Sequence, residues 1–243
     1  MRTTYNELRS EKSNRTMKWI INFLTSSLGK KLIMSLTGLF LITFLFVHLI
    51  GNLQLLAGDD GVSFNVYAKF MTSNPLIKFT SYGLYFFILL HIVQGFVIWF
   101  SNKNAKGSRY AVAPKNTSWA SSNMAILGTI ITVFLLIHMY QFWFKMKLGF
   151  IPPVTIDGVE MSNLYATVAE AYQNIFFVIF YVASMVVIGL HLSHGFQSAF
   201  QSLGLNHKKY TPIIKGIGTA YSILVPLGFA IIPIWMYMVH LRG

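Results

Sequence analysis

Five long apolar runs dominate this sequence and restrict what the chain can fold into. Each run has about 20 residues or more, enough to cross roughly 30 Å of hydrocarbon as an α-helix. Backbone amides must be paired inside lipid, so the runs predict an all-α integral membrane bundle of five transmembrane helices. The runs cover approximately Leu32–Ala57, Phe79–Phe100, Met124–Phe144, Ala169–Phe196 (extending as a polar-faced helix to Leu203) and Ile217–Leu241.

The composition agrees with a membrane interior. Of the 243 residues, 54% are hydrophobic and 11% are charged, whereas soluble domains carry about 25% charged residues. The chain has no cysteine, which excludes disulfides and cysteine-ligated iron–sulfur clusters within it. A net charge of +12 would point to nucleic acid in a soluble protein. Here the basic residues lie at the ends of apolar runs, so no nucleic-acid partner is expected.

The chain is expected to divide into an N-terminal segment, residues 1–31, and a transmembrane domain, residues 32–243. The apolar part of the first segment, Trp19–Leu24, is too short for a signal peptide, and no small-residue cleavage site follows it. The segment is therefore predicted to lie as an amphipathic stretch on the cytoplasmic membrane surface.

The distribution of Lys and Arg predicts the topology. Fourteen precede the first run or lie between runs two and three or four and five, and five lie on the other side. The positive-inside rule then puts the N-terminus in the cytoplasm and the C-terminus outside. The fourteen are Arg2, Arg9, Lys12, Arg15, Lys18, Lys30, Lys31, Lys103, Lys106, Arg109, Lys115, Lys208, Lys209 and Lys215; the five are Lys69, Lys78, Lys145, Lys147 and Arg242.

Histidine is the ionisable residue that recurs inside the spans, and such residues usually mark functional sites. The directions of the spans place His48 and His138 at an outer level and His91 and His191 at an inner level. Two imidazoles at one depth can take both axial positions of a haem iron. The pattern therefore predicts two stacked bis-histidine haems, with irons on the order of 10–15 Å apart along the membrane normal.

Other interpretations of the histidines compete with this one. A membrane histidine can simply hydrogen-bond a neighbouring helix, but that role does not explain pairing by depth on four spans. Zinc needs three or four protein ligands, and each level offers two. His194 lies one turn after His191, so one of the two is the inner ligand. His207 and His240 lie at loop or span ends and are interpreted as solvated.

Glycines accompany three of these histidines. The inner histidines each begin an H-x-x-x-G step, ending at Gly95 and Gly195, and Gly51 follows His48 by three residues. A glycine about one turn from a ligand removes bulk where a flat porphyrin approaches a helix. Ordinary small-residue packing between helices accounts for the same glycines equally well.

Two stretches, GKKLIMSLTGLFLITFLFVHLIGNLQLLAG and GLHLSHGFQSAFQSLGLNH, resemble the cytochrome b membrane-anchor subunit of succinate dehydrogenase or fumarate reductase. The chain is most similar to the single-chain, five-helix, di-haem type found in bacteria that use menaquinone. The resemblance covers five spans, four histidines in order and the cytoplasmic N-terminus. It implies a multi-pass protein of the bacterial cytoplasmic (inner) membrane.

The resemblance also implies roles for individual residues. It assigns the outer pair to a distal haem and the inner pair to a proximal haem near an iron–sulfur subunit. The family's last ligand stands in an H-x-x-x-G step, which favours His191 over His194. Some members carry a glutamate two residues before that histidine as a transmembrane proton relay. Gly189 occupies this position here, so such a relay is not expected.

The implied function is electron transfer, with the tricarboxylic acid cycle as its setting. A flavoprotein subunit oxidises succinate or reduces fumarate, and an iron–sulfur subunit relays the electrons. This chain passes them through two b haems to or from a membrane quinone, expected to be menaquinone. It takes part in quinone chemistry alone and does not bind the dicarboxylate. Its basic cytoplasmic surface is expected to dock the partner subunits and attract anionic lipid.

Two other functions are alternatives to this one. A quinone-reactive cytochrome b of a hydrogenase or formate dehydrogenase would keep the haems and change the partner, but five spans and the HLSHG context disfavour it. A haem-free transporter usually has broken helices, midplane charge and an internal repeat, and the sequence offers none of these.

The quinone is expected near the outer haem, because electrons from the cytoplasm reach the inner haem first. A quinone carbonyl needs a hydrogen-bond donor and a proton route as charge develops. Solvated loop charges and helix caps are the alternative interpretation of the candidates. These are Asn52, Gln54, Asp59 and Asp60.

Overall fold

The computed structural model describes residues 15–105 and 118–241. Seven of the basic residues counted above, and residues 1–14 of the N-terminal segment, lie outside the described residues; the seven are Arg2, Arg9, Lys12, Lys106, Arg109, Lys115 and Arg242. The helices are α1 (15–25), α2 (Ser27–Leu53), α3 (Val62–Ser73), α4 (Pro75–Ala105), α5 (Trp119–Ser122), α6 (Met124–His138), α7 (Lys145–Lys147), α8 (Leu164–Tyr172), α9 (Ile175–Ser202) and α10 (Thr211–His240). A 3₁₀ turn (Gln54–Leu56) follows α2, a π-helical turn (Met139–Phe144) joins α6 to α7, and β1 (Pro153–Ile156) pairs antiparallel with β2 (Val159–Ser162).

Five helical stretches are long and apolar enough to cross a membrane, which confirms the predicted all-α membrane bundle. They are Ser27–Leu56, Pro75–Asn104, Met124–Lys147, Ile175–Ser202 and Thr211–His240. Their large apolar side chains face outward, as lipid requires: Phe79 is 77% exposed and Leu136 is 67% exposed. The fifth stretch runs through Pro226 and Pro233 without a break, and Pro233 is fully buried.

Several predicted boundaries differ from the structure, and the second and fifth spans start earlier than expected, at Pro75 instead of Phe79 and at Thr211 instead of Ile217. The fourth span does not start at Ala169, because α8 ends at Tyr172 and a separate helix, α9, starts at Ile175. The side chain of Asn174 causes this break by accepting a hydrogen bond of 2.9 Å from the Phe176 amide, a helix N-cap. The first span starts earlier than Leu32, because Ser26 caps α2 by accepting from the Gly29 amide at 3.0 Å.

Four of the long helices form a ring, and this arrangement positions the candidate site. Helix α2 packs against α4 and α9, and α6 packs against the same two helices. Helices α2 and α6 are therefore diagonally opposite, as are α4 and α9. Helix α10 lies outside this ring, against α9 and α2, where the Tyr221 hydroxyl donates to the Ile42 carbonyl at 2.5 Å.

A cap of short elements covers one end of the bundle, which we call the hairpin end. Helix α3 packs there against α8 and β2. The side-chain Nδ2 of the buried Asn65 donates to Asn163 Oδ1 at 3.1 Å. The backbone amide of Tyr165 donates to Asn65 Oδ1 at 3.0 Å. The end where α2 begins, the basic end, carries Lys30, Lys31, Lys103, Lys208, Lys209 and Lys215.

Candidate functional site

His48 and His138 come together nearer the hairpin end. Their ring centroids are 5.9 Å apart and the ring planes are inclined by 86°. The two residues stand on α2 and at the last position of α6, so the pair spans one diagonal of the helix ring. Aromatic rings line it: Phe44 and Phe229 lie beside His48, and Phe134, Phe142 and Tyr181 beside His138.

His91 and His191 come together nearer the basic end. Their ring centroids are 6.5 Å apart with an inclination of 70°. They stand on α4 and α9, so this pair spans the other diagonal. The structure thus brings together both pairs that depth alone indicated, and the ring beside His91 is that of His191. The role of each residue as a haem ligand stays a prediction.

The vertical separation of the two pairs follows approximately from the helix rise between contacts along two helices. On α2, Thr37 touches His91 and stands eleven residues before His48, about 16 Å of helix rise. On α9, Tyr181 touches His138 and stands ten residues before His191, about 15 Å of rise. Both helices therefore put the pairs about 15 Å apart along the bundle axis, near the upper end of the expected range.

The distances within each pair fit two axial imidazoles on one metal. An imidazole nitrogen binds a metal at about 2 Å, which puts the centroids of two opposed rings about 6 Å apart. The separations of 5.9 and 6.5 Å agree with this value. In addition, Nδ1 of His191 is buried and has no hydrogen-bond partner among the described residues. A buried unpaired ring nitrogen is unfavourable and calls for a ligand or other unseen partner.

Polar side chains approach the other three histidines. Thr37 Oγ1 lies 3.0 Å from Nδ1 of His91. The Tyr181 hydroxyl lies 3.5 Å from Nδ1 of His138 and donates to Gln141 Oε1 at 3.1 Å. Asn52 Nδ2 lies 3.3 Å from Nδ1 of His48 and donates to its backbone carbonyl at 2.8 Å. Such contacts hold a ring in place and select which nitrogen carries the proton.

The three glycines near the histidines differ in what surrounds them, and their role beside a porphyrin stays a prediction. A β-carbon on Gly51 would overlap the ring of Tyr67, so aromatic packing in the cap explains this glycine. A β-carbon on Gly95 would meet Met34 at 3.5 Å, an ordinary contact, and one on Gly195 would meet no described atom within 4 Å. Contact with another helix therefore does not require glycine at position 195.

Two glycines that the sequence pattern does not single out face the His91/His191 pair. A β-carbon on Gly38 would lie 3.4 Å from Cε1 of His91, and one on Gly128 would lie 4.0 Å from Cε1 of His191. Sequence reasoning misses them because each is on a different helix from the ring it faces. It misses Thr37 and Tyr181 for the same reason, and it misses Gln141 because this residue contacts Tyr181 of another helix and not a histidine.

The proposed quinone residues lie at the hairpin end, where Asp59 has a clear structural role. Its carboxylate accepts hydrogen bonds from the Gly61 amide at 3.1 Å, the Ser63 amide at 2.8 Å and the Ser63 hydroxyl. The hydrogen bond from the Ser63 hydroxyl is the main cause that lowers the pKa of Asp59. Asp60 is exposed with a left-handed φ of 54°, as expected of a loop charge. Gln54 begins the 3₁₀ turn after α2.

Three histidines lie outside the two pairs. His194 stands one turn after His191 on α9 and is partly buried. His207 lies before the start of α10 and His240 at its last position, and both are exposed. The Nδ1 atom of His207 accepts a hydrogen bond from the Lys209 amide at 3.2 Å, which helps to form the turn before that helix.

Comparisons with protein-family models, with curated proteins and with solved structures found no match for this chain. The resemblance described above therefore depends on the sequence motifs, and the family stays a prediction.

Proposed function

We propose that this chain is a di-haem cytochrome b that anchors a succinate dehydrogenase or fumarate reductase in the membrane. One b haem is held by His48 and His138, and the other by His91 and His191. The observation that carries the proposal is the geometry of the four histidines. They form two facing pairs across the two diagonals of one helix ring, about 15 Å apart along its axis.

The residues of the chain supply position and environment to the cofactors. When bound, each haem iron cycles between its ferric and ferrous states and so carries one electron. The histidine pairs would hold the irons at two depths within the helix ring. Phe44, Phe134, Phe142 and Phe229 give the His48/His138 pair an apolar surrounding. Axial ligands, local dielectric and hydrogen bonds to those ligands set the potentials.

The placement of the partners is based on the charge at the two ends. Lys30, Lys31, Lys103, Lys208, Lys209 and Lys215 of the described residues lie at the basic end, which in the proposal faces the cytoplasm in accordance with the positive-inside rule. The iron–sulfur subunit docks at this end, beside the His91/His191 pair, and a flavoprotein subunit binds to it in turn. A tagged chain should bring down both subunits from native membranes. Recovery of a hydrogenase or formate dehydrogenase subunit instead would identify the chain as the quinone-reactive cytochrome b of that complex.

The quinone, expected to be menaquinone, exchanges electrons at the hairpin end, beside the His48/His138 pair. Asn52, Gln54, Asp59 and Asp60 stay the proposed residues for its head group. Asp59 also accepts hydrogen bonds from Ser63 at the start of α3. A test must therefore separate its proposed role in quinone binding from its observed role in stabilising this turn.

Visible spectroscopy tests the central claim. The purified chain should give the reduced-minus-oxidised spectrum of low-spin b haem, and a pyridine haemochrome assay should find two haems per chain. His48→Ala and His138→Ala should lose one and the same haem, while His91→Ala and His191→Ala lose the other. His194→Ala and the exposed His207→Ala serve as matched controls and should keep both.

Two results would contradict the proposal. A chain without haem in native membranes would remove it altogether. Loss of the same haem in His48→Ala and His91→Ala would show that the pairs do not act as proposed.

A further inference from the structure

Thr37 contacts one of the four histidines from a neighbouring helix. It lies on α2 with 2% of its surface exposed, which makes it one of the two most buried polar side chains described. Its Oγ1 atom is 3.0 Å from Nδ1 of His91, which lies on α4. Both groups are therefore inside the bundle, where an unsatisfied donor or acceptor is costly.

We assign the direction of this hydrogen bond from the other bond that Thr37 makes. A hydroxyl has one proton to donate, and Thr37 Oγ1 donates it to the Ile33 carbonyl at 2.8 Å, with the Met34 carbonyl at 3.2 Å. Toward His91 the hydroxyl can then present only a lone pair. In this arrangement Nδ1 of His91 carries the proton and donates it to Thr37.

The consequence for His91 is a defined tautomer. A neutral imidazole carries one proton, so a protonated Nδ1 leaves Nε2 with a free lone pair. The two ring nitrogens point in divergent directions, and Nδ1 is directed at α2, so Nε2 is directed away from α2. Nε2 is thus the metal-binding nitrogen, with its lone pair ready without loss of a proton.

We infer that Thr37 is a positioning residue that fixes the tautomer and orientation of His91 and lowers the reduction potential of the haem at the His91/His191 pair. This inference rests on the proposed function. A hydrogen bond accepted from the far nitrogen makes an imidazole a stronger electron donor to its metal, which favours the ferric state. The hydroxyl is a better acceptor because it is itself donating to a carbonyl.

The second histidine of the pair, His191, bears on the effect expected of Thr37. Nδ1 of His191 is buried without a hydrogen-bond partner among the described residues, so no described side chain tunes that ring in the same way. Among the described residues, the side-chain hydrogen bond to an Nδ1 atom of this pair is therefore the one between His91 and Thr37. The bland alternative is that Thr37 merely bonds its own helix, as Thr43 does with the Leu39 carbonyl at 3.0 Å.

Three variants of the full chain separate these interpretations. Thr37→Val keeps the shape and removes the acceptor, Thr37→Ser keeps the hydroxyl, and Thr43→Val makes the same chemical change at an exposed site on the same helix. Potentiometric titration followed by visible and EPR spectra should show a more positive potential and an altered low-spin signal in Thr37→Val. Only the haem that His91→Ala removes should change. Thr37→Ser and Thr43→Val should match the parent chain.

Two outcomes would overturn the inference. Thr37→Val could leave the potential and the EPR signal unchanged, or Thr37→Ser could shift them as far as Thr37→Val does, which would point to shape alone. If Thr37→Val fails to fold or loses its haem, ¹⁵N NMR of the histidine-labelled parent chain decides instead, because reduced low-spin haem is diamagnetic. A proton-free Nδ1 on His91 would then refute the tautomer.

The NMR measurement also distinguishes failure of this inference from failure of the proposed function. If the chain holds no haem, the proposed function fails. The same spectrum of the haem-free chain still reports whether Nδ1 of His91 is protonated and bound to Thr37.

Discussion

Gly51 and Tyr67 are a close contact between the bundle and its cap. A β-carbon at position 51 would overlap the Tyr67 ring. Gly51→Ala should therefore destabilise the folded chain by about 1–3 kcal/mol, the usual effect of overpacking, measured by thermal unfolding in detergent. Adding Tyr67→Ala should remove most of this penalty, because the obstructing ring is gone. Equal penalties in both backgrounds would mean that another contact requires the glycine.

Asp59 should make the start of α3 sensitive to acid. Hydrogen bonds from Ser63 lower the pKa of this carboxyl in the folded chain. A depressed folded pKa means that the stabilisation is fully present above the unfolded pKa and is lost as the pH falls through the folded pKa. Hydrogen exchange at the Gly61 and Ser63 amides should therefore quicken, relative to a reference peptide, in the acid range below the ordinary aspartate pKa.

The control for this prediction is Asp59→Asn, which keeps an acceptor oxygen and removes the titration. Its protection factors at the same two amides should stay flat over the acid range. If the parent chain is equally flat there, the carboxylate does not stabilise the turn as the contacts indicate.

At the scale of secondary structure, the length and hydropathy of the apolar runs were enough to predict the five spans, because a lipid bilayer constrains both properties in any helix that crosses it. The sequence did not reveal elements that depend on a single capping side chain or on contacts with distant parts of the chain. The break before α9 has neither proline nor glycine, and it depends on one Asn174 cap. Helix α3 is short, and contacts with α8 and β2 hold it in place. The depths of the histidines could be predicted from the directions of the spans. Their side-chain partners, such as Thr37, could be identified only once the packing of the helices was known.

The π-helical turn Met139–Phe144 comes directly after His138 and offers a test at the element scale. Such a turn behaves as a one-residue insertion into an α-helix. Deleting Tyr140, which is 64% exposed, should restore an ordinary helix and leave both His138 and the Trp143–Tyr85 hydrogen bond of 2.7 Å in place. Both haems should then be retained, as measured by pyridine haemochrome.

Deleting Ile130 provides the matched control. It is 43% exposed and lies in the regular part of α6, where a missing residue rotates the remainder of the helix by about 100°. His138 should then turn away from His48, with loss of that haem alone. Similar haem contents in the two deletion variants would contradict this account of the turn.

For the molecule as a whole, the proposed division of labour between its two ends is testable through the quinone. Replacing Asn52, Gln54, Asp59 and Asp60 together with alanine should abolish quinone turnover in the assembled complex. Haem content should persist because all four histidines remain, and artificial-dye succinate activity should persist because the dye accepts electrons before they reach the hairpin end. Asp59→Asn alone, which keeps the acceptor for α3, separates a folding defect from a quinone defect.

Two findings would contradict this placement. Normal quinone turnover in the quadruple variant would exclude the residues. A quinone-site inhibitor mapped to the basic end beside His91 would move the site to the end where we propose that the iron–sulfur subunit docks.

The diagonal arrangement of the histidines also has a consequence for how the protein is made. Each pair joins helices that are not consecutive spans: His48 meets His138 of the third span, and His91 meets His191 of the fourth. A growing chain that has inserted α2 and α4 therefore contains two single histidines and no pair. Synthesis completes the pair near the hairpin end when α6 enters, and the other only when α9 is added. The order of the spans along the chain thus determines the order in which the histidine pairs can form. The His48/His138 pair can form before the His91/His191 pair, and α10 is added after both.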